Sequence, residues 1–317
     1  MADYYKRLRP RRLVITGAPG AGKTVLAVEL IMALLEDRAL GDPVPVRISA
    51  SSLDLDEDIS GPGAATERVE MWLVAHVMKV HRFSQRAARA LVSAGQVVPV
   101  VDGLDELDAT DQPGYASRAG QALRILNGYQ RYRSKAELMV TCRTEHYQAL
   151  TNDLTWVEGS ARVEIRQVSD AQASKFIMDA TIDRERWKTV LDTISSASGG
   201  PLALALSTPW RLTLAVTVYE QRGNAGFLRD PDQLTADELG TPDAIRDHLL
   251  SLFIPAVLYN SGGPYDPGRT HRWLATLAGH LNQNASTGRR FGSRRLSSTD
   301  IICMSCGQLL VTEDRES

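Results

Sequence analysis

Three cysteines in 317 residues are too few, and odd in number, for a disulfide framework, so a reducing cytoplasm is the expected setting. No window reaches the roughly 18 consecutive apolar residues of a membrane span, and the opening MADYYKRLRPRR lacks the apolar centre of a secretory signal. Neither sign of charge dominates. With 36 Lys plus Arg against 38 Asp plus Glu, the net charge is −2, which removes the global footprint of a nucleic-acid-binding domain. No repeat with a period of about 20 to 50 residues recurs, which excludes a sensor array. Apolar residues at 43% are enough to bury a sizeable core in two or three small domains.

What the sequence does have is a glycine loop between a strand and a helix. Leu13 to Thr16 read as a short apolar strand, and GAPGAGKT follows at 17–24. VLAVELIMALLEDR then carries apolar residues at Leu26, Leu30, Ile31, Leu34 and Leu35, the pattern of a helix with one buried face. Gly17, Gly20 and Gly22 let the backbone curl so that its N–H groups face a triphosphate. Ala18, Pro19 and Ala21 complete the loop, and the positive helix end lies behind it. Lys23 is expected to reach the β and γ phosphates, and Thr24 to give its hydroxyl to a magnesium ion. At about 7% glycine usage this pattern arises by chance in roughly one chain of this length in a hundred. ATP or ADP is the expected nucleotide, with GTP left open.

A second apolar run, Val97 to Val101, breaks into the carboxylates Asp102, Asp105 and Glu106. Such a run fits a central strand of a parallel sheet covered on both faces, with ligands bound beyond its carboxyl end. Asp102 is then expected to hold magnesium through water. Asp105 and Glu106 are the candidates to orient or deprotonate an attacking water, and spacing does not choose between them. Pro99 interrupts the run and predicts a local bulge. Leu138 to Thr141 form another β-prone run, so Arg143 falls at the same sheet edge, where a positive charge stabilises charge developing in phosphoryl transfer. Pro209 stands at the start of a helix carrying Leu212, Leu214, Val216 and Val218.

The strand ending in DGLDEL behind a GAPGAGKT loop resembles the NACHT nucleoside-triphosphatases, a branch of signal-transducing P-loop ATPases, and among them the actinobacterial type. VPVRISASSLD is similar to the family's strand after the first helix, and MWLVAHVM to the helix beyond it. ELMVTCRTEHY resembles the sensor strand whose arginine faces the γ-phosphate, here Arg143. GGPLALALSTPWRLTLAVTVYE resembles the segment whose proline packs against adenine, here Pro209. The resemblance covers roughly residues 11 to 285. It implies an α/β P-loop NTPase with a mostly parallel sheet flanked by helices, then an α-helical region with a helical domain and a partial winged-helix-like part. It also implies bound ATP or ADP with magnesium, and homo-oligomers on activation.

The expected division is a basic N-terminal extension at 1–12, the NTPase domain at 13–166, a helical domain at 167–225, a winged-helix-like region at 226–288 and a basic, poorly ordered tail at 289–317. Ser169 is the expected cap of the first helix after the sheet, and residues 221–243 read as a polar linker. Cys303 and Cys306 form half of a zinc site, but no second pair follows and His271 and His280 lie upstream, so they read as ordinary thiols. Arg289, Arg290, Arg294 and Arg295, like Lys6, Arg7, Arg9, Arg11 and Arg12, read as solvated basic termini. Neither nucleic acid nor a membrane surface is expected as a partner.

The resemblance ends near residue 290, so the chain is expected to be a switch whose sensor and effector parts are missing or lie on separate partners. The expected function is a nucleotide-dependent switch with slow ATPase activity in signalling or defence. The alternative is a non-hydrolysing, nucleotide-locked scaffold, against which the two carboxylates after Asp102 argue. A P-loop small-molecule kinase is a weaker third, because no acceptor site or mobile lid is marked.

Overall fold

The computed structural model describes residues 1–55, 63–108, 110, 112–131, 134–224, 226–261, 265–287, 290–291 and 294–295. In chain order the first half runs α1 (Ala2–Arg7), β1 (Arg12–Gly17), α2 (Lys23–Glu36), β2 (Val44–Ser49), α3 (Ala64–His81), α4 (Gln85–Ser93) and β3 (Val97–Asp102). It continues with α5 (Arg118–Gly128), β4 (Leu138–Arg143), α6 (Thr144–Asn152) and β5 (Ala161–Ile165). The five strands form one parallel sheet in the order β2-β3-β4-β1-β5. Every residue of β1 and β3 is buried, whereas the edge strands β2 and β5 are only partly so. That is the burial expected of central strands covered on both faces.

Successive residues on a strand point to opposite faces, and the two cores separate accordingly. Val14, Val101 and Val140 pack with Leu73, Leu123 and Leu126 from α3 and α5. Their strand neighbours Leu13, Val100 and Met139 pack on the other face with Ala27 and Leu30 of α2 and Tyr5 of α1.

Two expectations from the sequence need correction. Pro99 makes no bulge: β3 pairs with β2 in unbroken register from Val44↔Val97 to Ser49↔Asp102. The ladder to β4 starts only at Val100↔Met139, so the proline's missing donor coincides with the open beginning of that ladder. Arg12 is not part of a solvated basic terminus. It opens β1, is fully buried, and donates to the carbonyls of Glu158 at 2.9 Å and Leu126 at 2.5 Å. Burial pulls its guanidinium down to about 10, partly offset by Glu158 and Tyr147. The residues before it form α1, tied down because Tyr5 is buried and its hydroxyl donates to the Arg11 carbonyl.

Beyond β5 the chain is helical: α7 (Asp170–Ala180), α8 (Lys188–Ser196), α9 (Pro201–Ala205), α10 (Pro209–Tyr219), α11 (Pro242–Ser261) and α12 (Pro267–Thr287). Ser169 caps α7 in a reciprocal box with Gln172. Trp187 and Tyr219 meet edge to face, with ring centroids 6.0 Å apart. Around them Ile177, Leu202, Leu212 and Val218 share one core with Leu234, Ile245, Leu249 and Ala256 from the segment after residue 225. Residues 221–243 therefore do more than link helices, since Pro231 and Leu234 are buried in it. Of the tail, Arg290–Phe291 pairs antiparallel with Arg294–Arg295. Arg289, Cys303 and Cys306 lie outside the described residues.

Candidate functional site

Parallel strands bring their carboxyl ends to one edge, and here that edge collects Gly17, Asp102 and Arg143. Gly17 stands in register with Arg143 on one side and Ile165 on the other, so the loop leaving β1 emerges between β4 and β5. The loop then turns with positive φ at Gly20 (74°) and Gly22 (93°), and Gly22 is the N-cap of α2. Only glycine adopts these values without strain. A Cβ on Gly17 would stand 3.2 Å from both Ala21 and Ile165, so the loop lies close against the strand edge.

Lys23, the first residue of α2, curls back and donates from Nζ to the carbonyls of Gly17 (3.1 Å) and Ala18 (3.2 Å). Burial lowers its pKa, and the nearby Asp105 partly offsets this while Arg143 adds to it. Thr24 follows, its hydroxyl 3.1 and 3.0 Å from the two carboxylate oxygens of Asp102. The donor pair of a hydroxyl and a carboxylate is the hard-oxygen set that magnesium takes alongside phosphates and waters, so these residues fit the ion.

Asp102 is buried and heavily partnered. Thr141 donates to Oδ1 at 2.5 Å and itself accepts from the Gly103 N–H at 2.9 Å. Arg47 on β2 reaches Oδ2 through Nε at 2.8 Å and through a terminal nitrogen at 2.7 Å. Sequence reasoning missed both residues. Thr141 had a signal, because it stands two positions before Arg143 and hence on the same face of β4. Arg47 had none, because its place two positions before Ser49, the register partner of Asp102, emerges only once the sheet is formed.

The two carboxylates that spacing left equivalent are not equivalent in space. Asp105 is half-buried as a residue, with its side chain 7% exposed; it accepts from the backbone N–H of Arg143 at 2.9 Å and pairs with its Nε at 2.9 Å. Glu106 is exposed and folds back over Gly103, whose notional Cβ would lie 2.6 Å from its carboxyl carbon. Gly103 holds φ at 77°, which shapes the short turn between strand and carboxylates. Cys142, between Thr141 and Arg143, is fully buried, and burial pushes its thiol well above the ordinary range, so it takes no part as a nucleophile.

Pro209 is the first residue of α10, flanked by the N-cap Thr208 and by Trp210. A Cβ on Gly20 would lie 3.3 Å from the Trp210 Cβ and 3.5 Å from the Thr208 hydroxyl. The helical region thus abuts the glycine loop at this point. A cavity of about 530 Å³ is lined by Ala18 and Pro19 of the loop together with Arg143, Thr144, Glu164 and Arg166, among others. Its size falls in the range of small-molecule sites. Among the described residues no group of three or more His, Cys, Asp and Glu side chains is placed to hold a metal by itself, and no helix is long and apolar enough to cross a membrane.

The glycine loop, the acid-ended strand beside it and the all-parallel sheet define a P-loop nucleoside-triphosphatase fold followed by a helical region. The family model of the NACHT domain matches residues 11–184, more than half of the chain, and the protein belongs to that family. Membership makes it a nucleotide-binding protein of the NTPase class, with magnesium as the family's metal. No curated protein matches the chain.

Proposed function

We propose that the protein is an ATP–magnesium-dependent molecular switch that hydrolyses its nucleotide slowly and uses nucleotide state to set its conformation or assembly in signalling or defence. The observation that carries this reading is the joining of Thr24 to Asp102 by hydrogen bonds beside the P-loop, one strand away from an arginine clamped by Asp105.

In this reading the loop N–H groups and Lys23 bind the phosphates, Lys23 exchanging its two carbonyl partners for phosphate oxygens. Thr24 and Asp102 hold magnesium, which when bound neutralises charge on the phosphates. Asp105 is a positioning residue: it aims Arg143 at the γ-phosphate by gripping both its backbone N–H and its guanidinium. Glu106, exposed one residue on from Asp105, is left as the group that orients or deprotonates the attacking water. Pro209 and Trp210 carry the nucleotide state to the helical region, because α10 begins against Gly20. ATP and ADP shift the conformation only through such differential contacts. Assembly into a homo-oligomer, and coupling to a separate sensor or effector, belong to the same proposal, as does a cytoplasmic setting.

Replacing Lys23 by Ala removes the ammonium that the phosphates need, so triphosphate binding should fall below detection in an equilibrium titration with a fluorescent ATP analogue. Retained affinity in that variant would sink the proposal.

A further inference from the structure

The carboxylate that this reading gives to magnesium already carries a cation. Asp102 has a side chain only 7% exposed, and an ionised carboxylate so placed is costly unless it is paired. Its oxygens are divided among three partners. Oδ1 accepts from Thr141 and Thr24, while Oδ2 accepts from Thr24 and from two nitrogens of Arg47. Arg47 supplies the balancing charge, and it does so from the side of β2, the edge strand. Its own side chain is 52% exposed, so its outer half stands in water.

We propose that Arg47 is a resident counter-cation of the metal-binding carboxylate, which releases Asp102 when magnesium enters with the nucleotide. The inference rests on the P-loop reading above. Two cations at one carboxylate repel each other, and a divalent ion next to a guanidinium in a partly buried site feels that repulsion more strongly than it would in bulk water. Release is cheap on the arginine side, because a half-exposed ion pair contributes little net stability and the freed guanidinium regains water. It is also local, since the register of β2 with β3 fixes the Arg47 backbone and only the side chain has to swing. Thr24 and Thr141 keep the carboxylate in place throughout.

Two consequences follow. Magnesium affinity in the nucleotide complex is set by competition with Arg47, and metal loading moves a charge to the outer edge of the sheet, where a partner can sense it. The same arginine guards the metal-free protein against a stranded buried negative charge.

The test uses the full chain and a fluorescent ADP analogue, titrated first in EDTA and then with magnesium, with each variant's affinity in EDTA as its own reference. For Arg47→Met the half-saturating magnesium concentration should fall by about tenfold or more relative to wild type. Thermal unfolding should become sensitive to magnesium alone, because Asp102 then lacks a cation. Arg47→Lys keeps a charge but loses the two-nitrogen grip. It should fall between the two, and it stands in if the Met variant does not fold. An unchanged or raised half-saturating concentration in both variants, with nucleotide still bound, overturns the role of Arg47 while leaving the P-loop reading intact. If wild type itself binds no nucleotide in either condition, the P-loop reading fails and the inference fails with it.

Discussion

Asp105 and Arg143 make a mixed pair at the scale of single residues. The aspartate side chain is 7% exposed and the arginine 42%, so removing the arginine strands a nearly buried charge, while removing both does not. Two effects of Arg143→Met should therefore separate. Preference for ATP over ADP should drop by about tenfold, the scale of one lost charge-assisted hydrogen bond. The melting temperature should fall as well. Adding Asp105→Leu should recover much of the stability but none of the ATP preference. Equal ATP and ADP affinities in wild type, or recovery of ATP preference in the double variant, would remove Arg143 as the γ-phosphate reader.

The decisive contact at the scale of elements lies between the glycine loop and the start of α10. Gly20 and Gly22 both hold left-handed backbone, but only Gly20 has a neighbour, with Trp210 3.3 Å from where a Cβ would stand; Gly22 has nothing within 4 Å. Alanine at either position costs about 1–3 kcal/mol in backbone strain. At Gly20 it also pushes α10 away. Gly20→Ala should consequently lower the nucleotide-free melting temperature further than Gly22→Ala, and a larger drop for Gly22→Ala would contradict the contact.

Much at this scale was legible in the sequence, for physical reasons. The apolar runs of β1, β3 and β4 are continuous because both faces are covered, and GAPGAGKT is conspicuous because its conformation demands glycine. Ser169 was legible because capping chemistry is local. Less so were α4, α5 and α6, which carry mixed surfaces, and α1, whose single buried anchor, Tyr5, leaves no periodic signal. Arg47 and Arg12 were opaque for a different reason. A charged residue reads as solvated until its partners, here Asp102 and two backbone carbonyls, are brought to it by the sheet.

For the whole molecule, a sheet core and a helical core come together at the glycine loop, where Gly20 lies against Trp210, Thr24 bonds to Asp102 and Gly17 stands in register with Arg143. On the proposed reading, a nucleotide at that junction would touch both cores, and loss of its last phosphate would be felt at Arg143 while Pro209 keeps its place. Such an arrangement suits a switch better than a free-running enzyme. The most direct measurement is the identity of the nucleotide that copurifies with the full chain, followed by its magnesium-dependent turnover in wild type and in Glu106→Gln. The account predicts tightly held ADP in the purified protein and slow turnover of added ATP in wild type. It also predicts a further loss of turnover by a factor of about 10² or more, with binding retained, in Glu106→Gln. An empty protein that hydrolyses ATP rapidly, at a rate indifferent to Glu106→Gln, would contradict it.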